Sequence, residues 1–442
     1  MLLGYILIIC YVLILLAMGL YDKRHIKTFD DYTVAGRKQS AVLVAGSLVA
    51  TCIGASATIG VVNMAYNVGF PAFWWLGSGA IGLIILSWFG AHKLNGLQGL
   101  TLPDVAAKLI SPWAVKPIAI IIVIGWTGIV AAQFVAVARI FEVFFTTPTW
   151  LVLLVTFLVI SLYACFGGQV SVMRTDSLQL VILLSGLVLL VIMIYLKSDG
   201  PLLQLRDICI TNEKFGYSRW FYFLIIIGSQ YIVGPDIFSR VFAAKSSKAA
   251  RQGLIIAGLL LFCASLLVVA IGLGVFKYGL VPPGDNILVT AVNTLLPSWA
   301  IIIVLLALLS AIFSSADTCL LAVSTTFTKD ILGSHSVKTA RINILLFGFL
   351  AFAVALWKQD ILELLLAAYT IFGGGVIAPM IVALWAHKRK RPEPKIMLGA
   401  IALGSVLGVC AVVFDYSNLA IVGFALSGVI SILSLRPWSK AV

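Results

Sequence analysis

Charge is what this sequence has least of. Only 11% of its 442 residues are Asp, Glu, Lys or Arg, while 62% are hydrophobic. A soluble domain sits nearer a quarter charged and half apolar, so no soluble core accounts for this chain. The class is a polytopic membrane protein. Ten-residue stretches of strict apolar–polar alternation are missing too, which excludes a membrane β-barrel. Histidine is scarce, and His25, His92, His335 and His387 do not cluster. The seven cysteines are scattered, mostly within apolar runs, at no spacing that suits zinc or a redox pair, and Cys209 has no partner in its loop. A metal centre is not expected. No nucleophile–base constellation points to an enzyme. No ring of charge or filter sequence points to a channel.

What the chain has is long apolar runs of helical period. Thirteen are long enough to cross a bilayer, near 3–20, 41–66, 72–94, 115–144, 149–167, 176–196, 219–241, 250–276, 296–328, 341–357, 360–386, 396–413 and 418–435. The first has no basic residue before it and is too long for a signal peptide, so it reads as a retained helix. The net charge of +13 invites a nucleic-acid partner, but its distribution answers otherwise. With the N-terminus outside, 23 of the 30 Lys and Arg residues fall on the inner side and six on the outer, with Arg139 inside a span. That is the positive-inside bias of an N-out, C-in protein with 13 spans. It explains the basicity without nucleic acid. The tryptophans gather near span ends, as an interfacial belt requires. The chain is one transmembrane domain, and the basic run HKRKRPEPK (387–395) is a short cytoplasmic linker.

Two spans look interrupted. The second contains SLVATCIGASATIG (47–60), and the seventh contains IIIGSQYIVGPD (225–236), where Gly228, Gly234 and Pro235 weaken a continuous helix. Small residues in the second can also mean tight helix packing. The breaks lie five spans apart in segments of opposite direction. That pattern predicts a 5+5 inverted repeat of spans 2–6 (41–198) and 7–11 (217–387), with an extra N-terminal segment (1–40) and a C-terminal pair (388–442). A broken helix frees backbone carbonyls and amides that lipid cannot satisfy, so the breaks should line a cavity or hold a ligand.

The ninth span carries SSADT in its middle. Ala311, Ser314 and Ser315 share one helical face, where two hydroxyls and a carbonyl can meet carbonyls freed in span 2. An all-oxygen cage without paired carboxylates suits a small monovalent cation. The alternative is that the serines bond back to carbonyls one turn earlier. Asp317, with Thr318 beside it, is costly in mid-membrane and should face a pathway or partner. Asp176 opens the sixth span, either as a helix cap or as part of a second cation or proton site with Asp317 and Thr318. Arg139 with Glu142, and Asp236 with Arg240, read first as pairs within their own helices.

LTLPD (100–104), ARIFE (138–142), GGQVSVMRTDSLQ (167–179), SRVFAAKS (239–246) and the paired serines follow the order of the sodium:solute symporter family, which this chain resembles over most of its length. The resemblance implies the leucine-transporter fold, all-α, with an extra N-terminal helix, and Na+ as coupling ion with no other cofactor. It implies a main sodium site of the Ala50, Ile53 and Ala311 carbonyls with the Ser314 and Ser315 hydroxyls. Some relatives hold a second sodium at the position of Asp176, but this chain has Asp317 where they carry a hydroxyl. The solute would lie at the two breaks, against Thr51, Cys52, Ser56, Ser229, Gln230 and Tyr231, with Tyr369 and a hinge-like GGG (373–375) from span 11. Tyr231 resembles an aromatic gate residue of the proline carriers. The pocket is read as free of fixed charge, suiting a small amino acid or a carboxylate held by backbone N–H groups. The expectation is sodium-coupled import of a small organic solute by alternating access, by a monomer in a bacterial or archaeal plasma membrane. Its alternatives are a proton-coupled symporter of the same fold and a transporter-like sensor module. No kinase domain follows Val442, so a sensor would need a partner chain.

Overall fold

The structure, a computed structural model, describes residues 2–144, 147–284, 286–386, 390–416 and 418–437. His387, Lys388 and Arg389 of the basic linker lie outside them. The long apolar runs form helices. We label them α1 (Leu2–Lys23), α2 (Ala41–Cys52), α3 (Ser56–Val68), α4 (Trp74–Phe89), α5 (Val115–Phe144), α6 (Thr149–Tyr195) and α7 (217–230). There follow α8 (Pro235–Ala243), α9 (Ser247–Lys277), α10 (Ser298–Ile331), α11 (Val337–Trp357), α12 (361–386), α13 (Pro394–Val413) and α14 (Asn418–Leu433). Among the described residues, ten helices are long and apolar enough to cross a membrane, or 11 if the bent pair α2–α3 is one span. A short antiparallel ribbon, β1 (Lys390–Pro392) with β2 (Leu435–Pro437), ties the two ends of the α13–α14 hairpin together.

The 47-residue α6 spans about 70 Å at 1.5 Å per residue, over twice the hydrocarbon thickness of a bilayer. It is divided at Gly168, whose φ of 52° and ψ of −156° are not helical. A Cβ on Gly168 would lie 2.6 Å from the Tyr32 ring and 2.7 Å from the Tyr32 carbonyl. Backbone angle and crowding therefore both demand glycine. Helix resumes directly after this kink, so residues 169–175 are helical and are not the connecting loop the sequence suggests. Asp176 consequently lies well inside a helix and does not cap one.

Both interruptions are present. The α2 helix stops at Ile53 (φ −100°, ψ 67°), and α3 leaves at 62° to it. A Cβ on Gly54 would sit 2.4 Å from Ser315 Oγ and 3.0 Å from Gln133 Oε1, so the gap can close around its neighbours only with glycine there. The second break falls between Gln230 and Pro235. Pro235 takes the first position of α8, where its missing N–H costs nothing.

The quoted motifs have local structural work. Thr101 caps a short helix by accepting from the Asp104 N–H (3.2 Å), and Asp104 accepts from the Leu100 N–H (3.1 Å). Burial pushes the Asp104 carboxyl up, but Lys329 at 3.1 Å and the Leu100 amide outweigh that and hold it below the ordinary carboxylate range. Ser246 caps α9 through the Ala249 N–H (3.1 Å). Arg139 and Glu142 pair at 3.2 Å. In the core α10 packs against α5 and α6, α2 packs on α6 and α10, and α8 packs on α2 and α10.

Gly168→Ala should destabilise the protein by roughly 1–3 kcal/mol, the usual cost of a forced backbone conformation. Thermal unfolding in detergent would register it as a lowered midpoint, and an unchanged midpoint would mean the kink is not required.

Candidate functional site

The site is built where α10 crosses the break after α2. Ser314 Oγ donates to the Ala50 carbonyl (2.9 Å) and to the Ala311 carbonyl one turn earlier (3.0 Å). Ser315 Oγ makes the same choice between the Thr51 carbonyl (2.7 Å) and that of Ala311 (3.2 Å). Back-bonding within the helix and bonding across to the break thus coexist. Ala50, Ala311 and the two serines are buried together. Ile53 caps the end of α2 beside them, and its N–H donates to the Val49 carbonyl (3.1 Å). Carbonyl and hydroxyl oxygens from two helices, with no carboxylate bonded to them, make a hard, neutral donor set. Such a set fits a small monovalent cation.

A turn further along the same helices, the structure departs from the helical pairing read for Asp236 and Arg240. The Arg240 guanidinium contacts Asp236 only at its backbone carbonyl (3.4 Å). Its ion-pair partner is Asp176, at 3.2 Å. Arg240 Nε donates to Ser47 Oγ (3.0 Å), and its Nη2 donates to Thr51 Oγ1 (3.2 Å) and to Thr318 Oγ1. Ser47 Oγ in turn donates to Asp176 at 2.5 Å. The guanidinium is 1% exposed and Asp176 is fully buried, so only their mutual pairing makes either charge tolerable there. One side chain on α8 therefore ties α2, α6 and α10 together. The Asp176 and Thr318 oxygens assigned from sequence to a second cation site already receive hydrogen bonds from a protein cation.

Asp317 stands apart from that network. It is fully buried, and neither carboxylate oxygen has a hydrogen-bond partner among the described residues. The Tyr163 hydroxyl lies beside it but donates to the Phe313 carbonyl at 3.2 Å. Tyr11 on α1 reaches the same region, accepting from Gln179 Nε2 (3.0 Å) and Ser310 Oγ (3.1 Å).

Next to the oxygen cluster is a narrow, partly open cavity with about 40 Å³ of free space, room for a few waters in this conformation. Thr51, Cys52, Ser56, Gln230, Tyr231 and Tyr369 line it, as does Ser315. Ser229 does not: its hydroxyl is turned into its own helix and donates to the Ile225 carbonyl. Besides Gly54, Ile129, Ile237, Cys319 and Leu365, three polar or aromatic lining residues were not anticipated. Gln133 on α5 accepts the Ala55 N–H at the break (3.0 Å). Trp126 Nε1 donates to Asp236 Oδ1 (3.3 Å), and Asp236 itself lines the wall. The pocket therefore does carry a fixed acidic group. A lone glutamine in the apolar run IVAAQFVAVA was the available sign for Gln133. For Asp236, the i+4 arginine masked its direction.

A cluster of hydroxyl and carbonyl oxygens beside a small cavity, both at helix breaks in a membrane bundle, is the arrangement of a secondary transporter. The chain belongs to the sodium:solute symporter family, whose profile matches residues 32–392 and whose members use Na+ as coupling ion. It is 27% identical over 419 residues to sodium/proline symporters of Staphylococcus aureus strains JH9 and USA300, covering 86% of this chain and 81% of each relative. Its fold is shared with a Na+-coupled sialic acid symporter in a substrate-bound outward-open state (TM-score 0.84, 19% identity, 99% of both chains). It is also shared with a nucleobase-cation-symport-1 family transporter in a closed, bromovinylhydantoin-bound form (TM-score 0.65, 15% identity, 93% and 96% of the chains).

Arg240→Ala should leave Asp176 buried without its counter-charge and cost about 3–5 kcal/mol of stability. The double variant Arg240→Ala/Asp176→Asn should recover much of that loss in thermal unfolding. Equal loss in both would show that packing, and not the charge pair, matters.

Proposed function

We propose that this chain is a sodium-coupled symporter that imports a small organic solute by alternating access. Sodium is held by the oxygens of Ala50, Ile53, Ala311, Ser314 and Ser315. The solute sits in the adjoining cavity against Thr51, Cys52, Ser56, Gln230, Tyr231 and Tyr369. The observation that carries the reading is the contact of the Ser314 and Ser315 hydroxyls with the carbonyls of Ala50 and Thr51 at the end of a broken helix. A cation placed among those oxygens would fix the break in one geometry. The break also forms a wall of the cavity, so ion and solute binding are coupled positively. The family and the sodium-linked relatives support the ion. The solutes named for those relatives differ, proline for some and sialic acid for another, so they leave the class open.

The architecture that goes with this reading has 13 spans, N-out and C-in. Residues 41–198 and 217–387 form opposed repeats, preceded by residues 1–40 and followed by the C-terminal pair at 388–442. Two features support it: the two breaks, and the division of α6 at Gly168 into two bilayer lengths. Inward sodium movement would draw about 2.3 kcal/mol per charge for each 100 mV of membrane potential.

A proton-coupled variant of the same cycle has one observation in its favour, the fully buried Asp317 carboxylate, which has no ion-pair partner among the described residues. Solute uptake driven by a pH gradient in sodium-free buffer would establish it.

Thermal stabilisation of the purified protein titrated with sodium, against potassium as the control, tests the main site without knowledge of the solute. Ser314→Ala removes one ligand and should raise the half-saturating sodium concentration about tenfold, the equivalent of one hydrogen bond to a charged group. An unchanged half-saturation removes Ser314 from the site.

A further inference from the structure

Hydroxyls of Ser56, Tyr231 and Tyr369 line the cavity, but it offers an anion few backbone amides and no cation among the described residues. The amide freed at the first break, Ala55 N–H, is occupied by Gln133 Oε1 at 3.0 Å. At the second break the N-terminus of α8 is occupied by the chain's own Asp236, which stands in its first turn over the amides of Asp236 and Ile237. A carboxylate arriving at these breaks would meet amides already engaged and an acid already seated at the positive end of the helix. No lysine or arginine lines the cavity among the described residues. The nearby Arg240 is directed away from it, into Asp176, Ser47, Thr51 and Thr318.

Acceptors, by contrast, are to hand. Asp236 lines the wall, with its Oδ1 taking one hydrogen bond from Trp126 at 3.3 Å. Gln230 spends its Nε2 on the Tyr369 carbonyl (3.0 Å), which leaves Oε1 facing no donor although the side chain is 5% exposed. A buried acceptor without a partner is costly unless a ligand supplies the donor. Trp126, Tyr231 and Tyr369 add aromatic walls, which suit a cation better than an anion.

We infer that Asp236 and Gln230 recognise a protonated amine nitrogen on the transported solute, so that the substrate class is an amine or an amino acid held through its ammonium group. This rests on the symporter reading and narrows it. It also revises the expectation that a solute carboxylate is gripped by freed backbone amides.

The test uses the purified full chain and matched probes: L-proline, pyrrolidine, which lacks its carboxylate, and cyclopentanecarboxylate, which lacks its nitrogen. Analogous trios on smaller and larger skeletons extend the set. Each is titrated calorimetrically in sodium and in potassium. The inference expects nitrogen-bearing members to bind and their nitrogen-free partners to bind at least tenfold more weakly. Asp236→Asn should weaken the amines by at least tenfold, and the variant's stabilisation by sodium alone reports that it is folded. Gln230→Met, which removes the open acceptor, should act in the same direction and serves if the first variant does not fold. Binding of the nitrogen-free acids as tightly as the amines, or of no amine at all, overturns the inference. Amine selectivity that is the same in sodium and potassium would leave it standing and count instead against sodium coupling.

Discussion

Lipid does not hydrogen-bond, so every helix broken inside a membrane must have its freed backbone groups answered by protein or ligand. That constraint organises this molecule. The α2 helix ends in mid-bundle, and the carbonyls it frees at Ala50 and Thr51 are met by two neighbouring hydroxyls on α10. The amide it frees at Ala55 is met by Gln133 on α5. Gly54 lets the three helices approach closely enough for this. Each hydroxyl is shared between a break carbonyl and that of Ala311, so neither is committed to the break alone. A contact that can be exchanged at low cost is what a reversible ion site needs.

Thr51 joins that site to the buried charge network. Its carbonyl accepts from Ser315 and its hydroxyl accepts from Arg240, so a shift of this one residue is felt in both. Arg240 sits on the helix after the second break and reaches the helix before the first. The two broken helices are therefore held to each other, and to α6 and α10, by one guanidinium. Such a pair contributes little net stability over an apolar substitute, but it is demanding in geometry.

Much of this was legible in the sequence because membrane solvation is so restrictive. Hydroxyls and an aspartate in a long apolar helix have to face something, and Ser314, Ser315 and Asp317 do face the interior. Small residues marked the first break, and Gly with Pro the second. What could not be read was the choice of partner across helices. Spacing made Asp236 the neighbour of Arg240, but Asp236 is engaged by its own helix terminus and by Trp126, which leaves the guanidinium to Asp176. Asp176 looked like a cap because the helix is interrupted at Gly168, eight residues earlier than the polar stretch suggested, through a backbone angle that composition does not reveal. Ser229 illustrates a third limit, since a hydroxyl at a break can still satisfy itself within its own helix.

The central claim is that sodium holds the broken α2–α3 junction through the α10 serines. Hydrogen–deuterium exchange of the purified protein in sodium and in potassium reads that junction directly. Sodium should slow exchange in the peptide spanning residues 47–60, and the double variant Ser314→Ala/Ser315→Ala should erase the difference. Identical exchange of that peptide in the two salts, or a sodium effect that survives loss of both serines, would contradict the account.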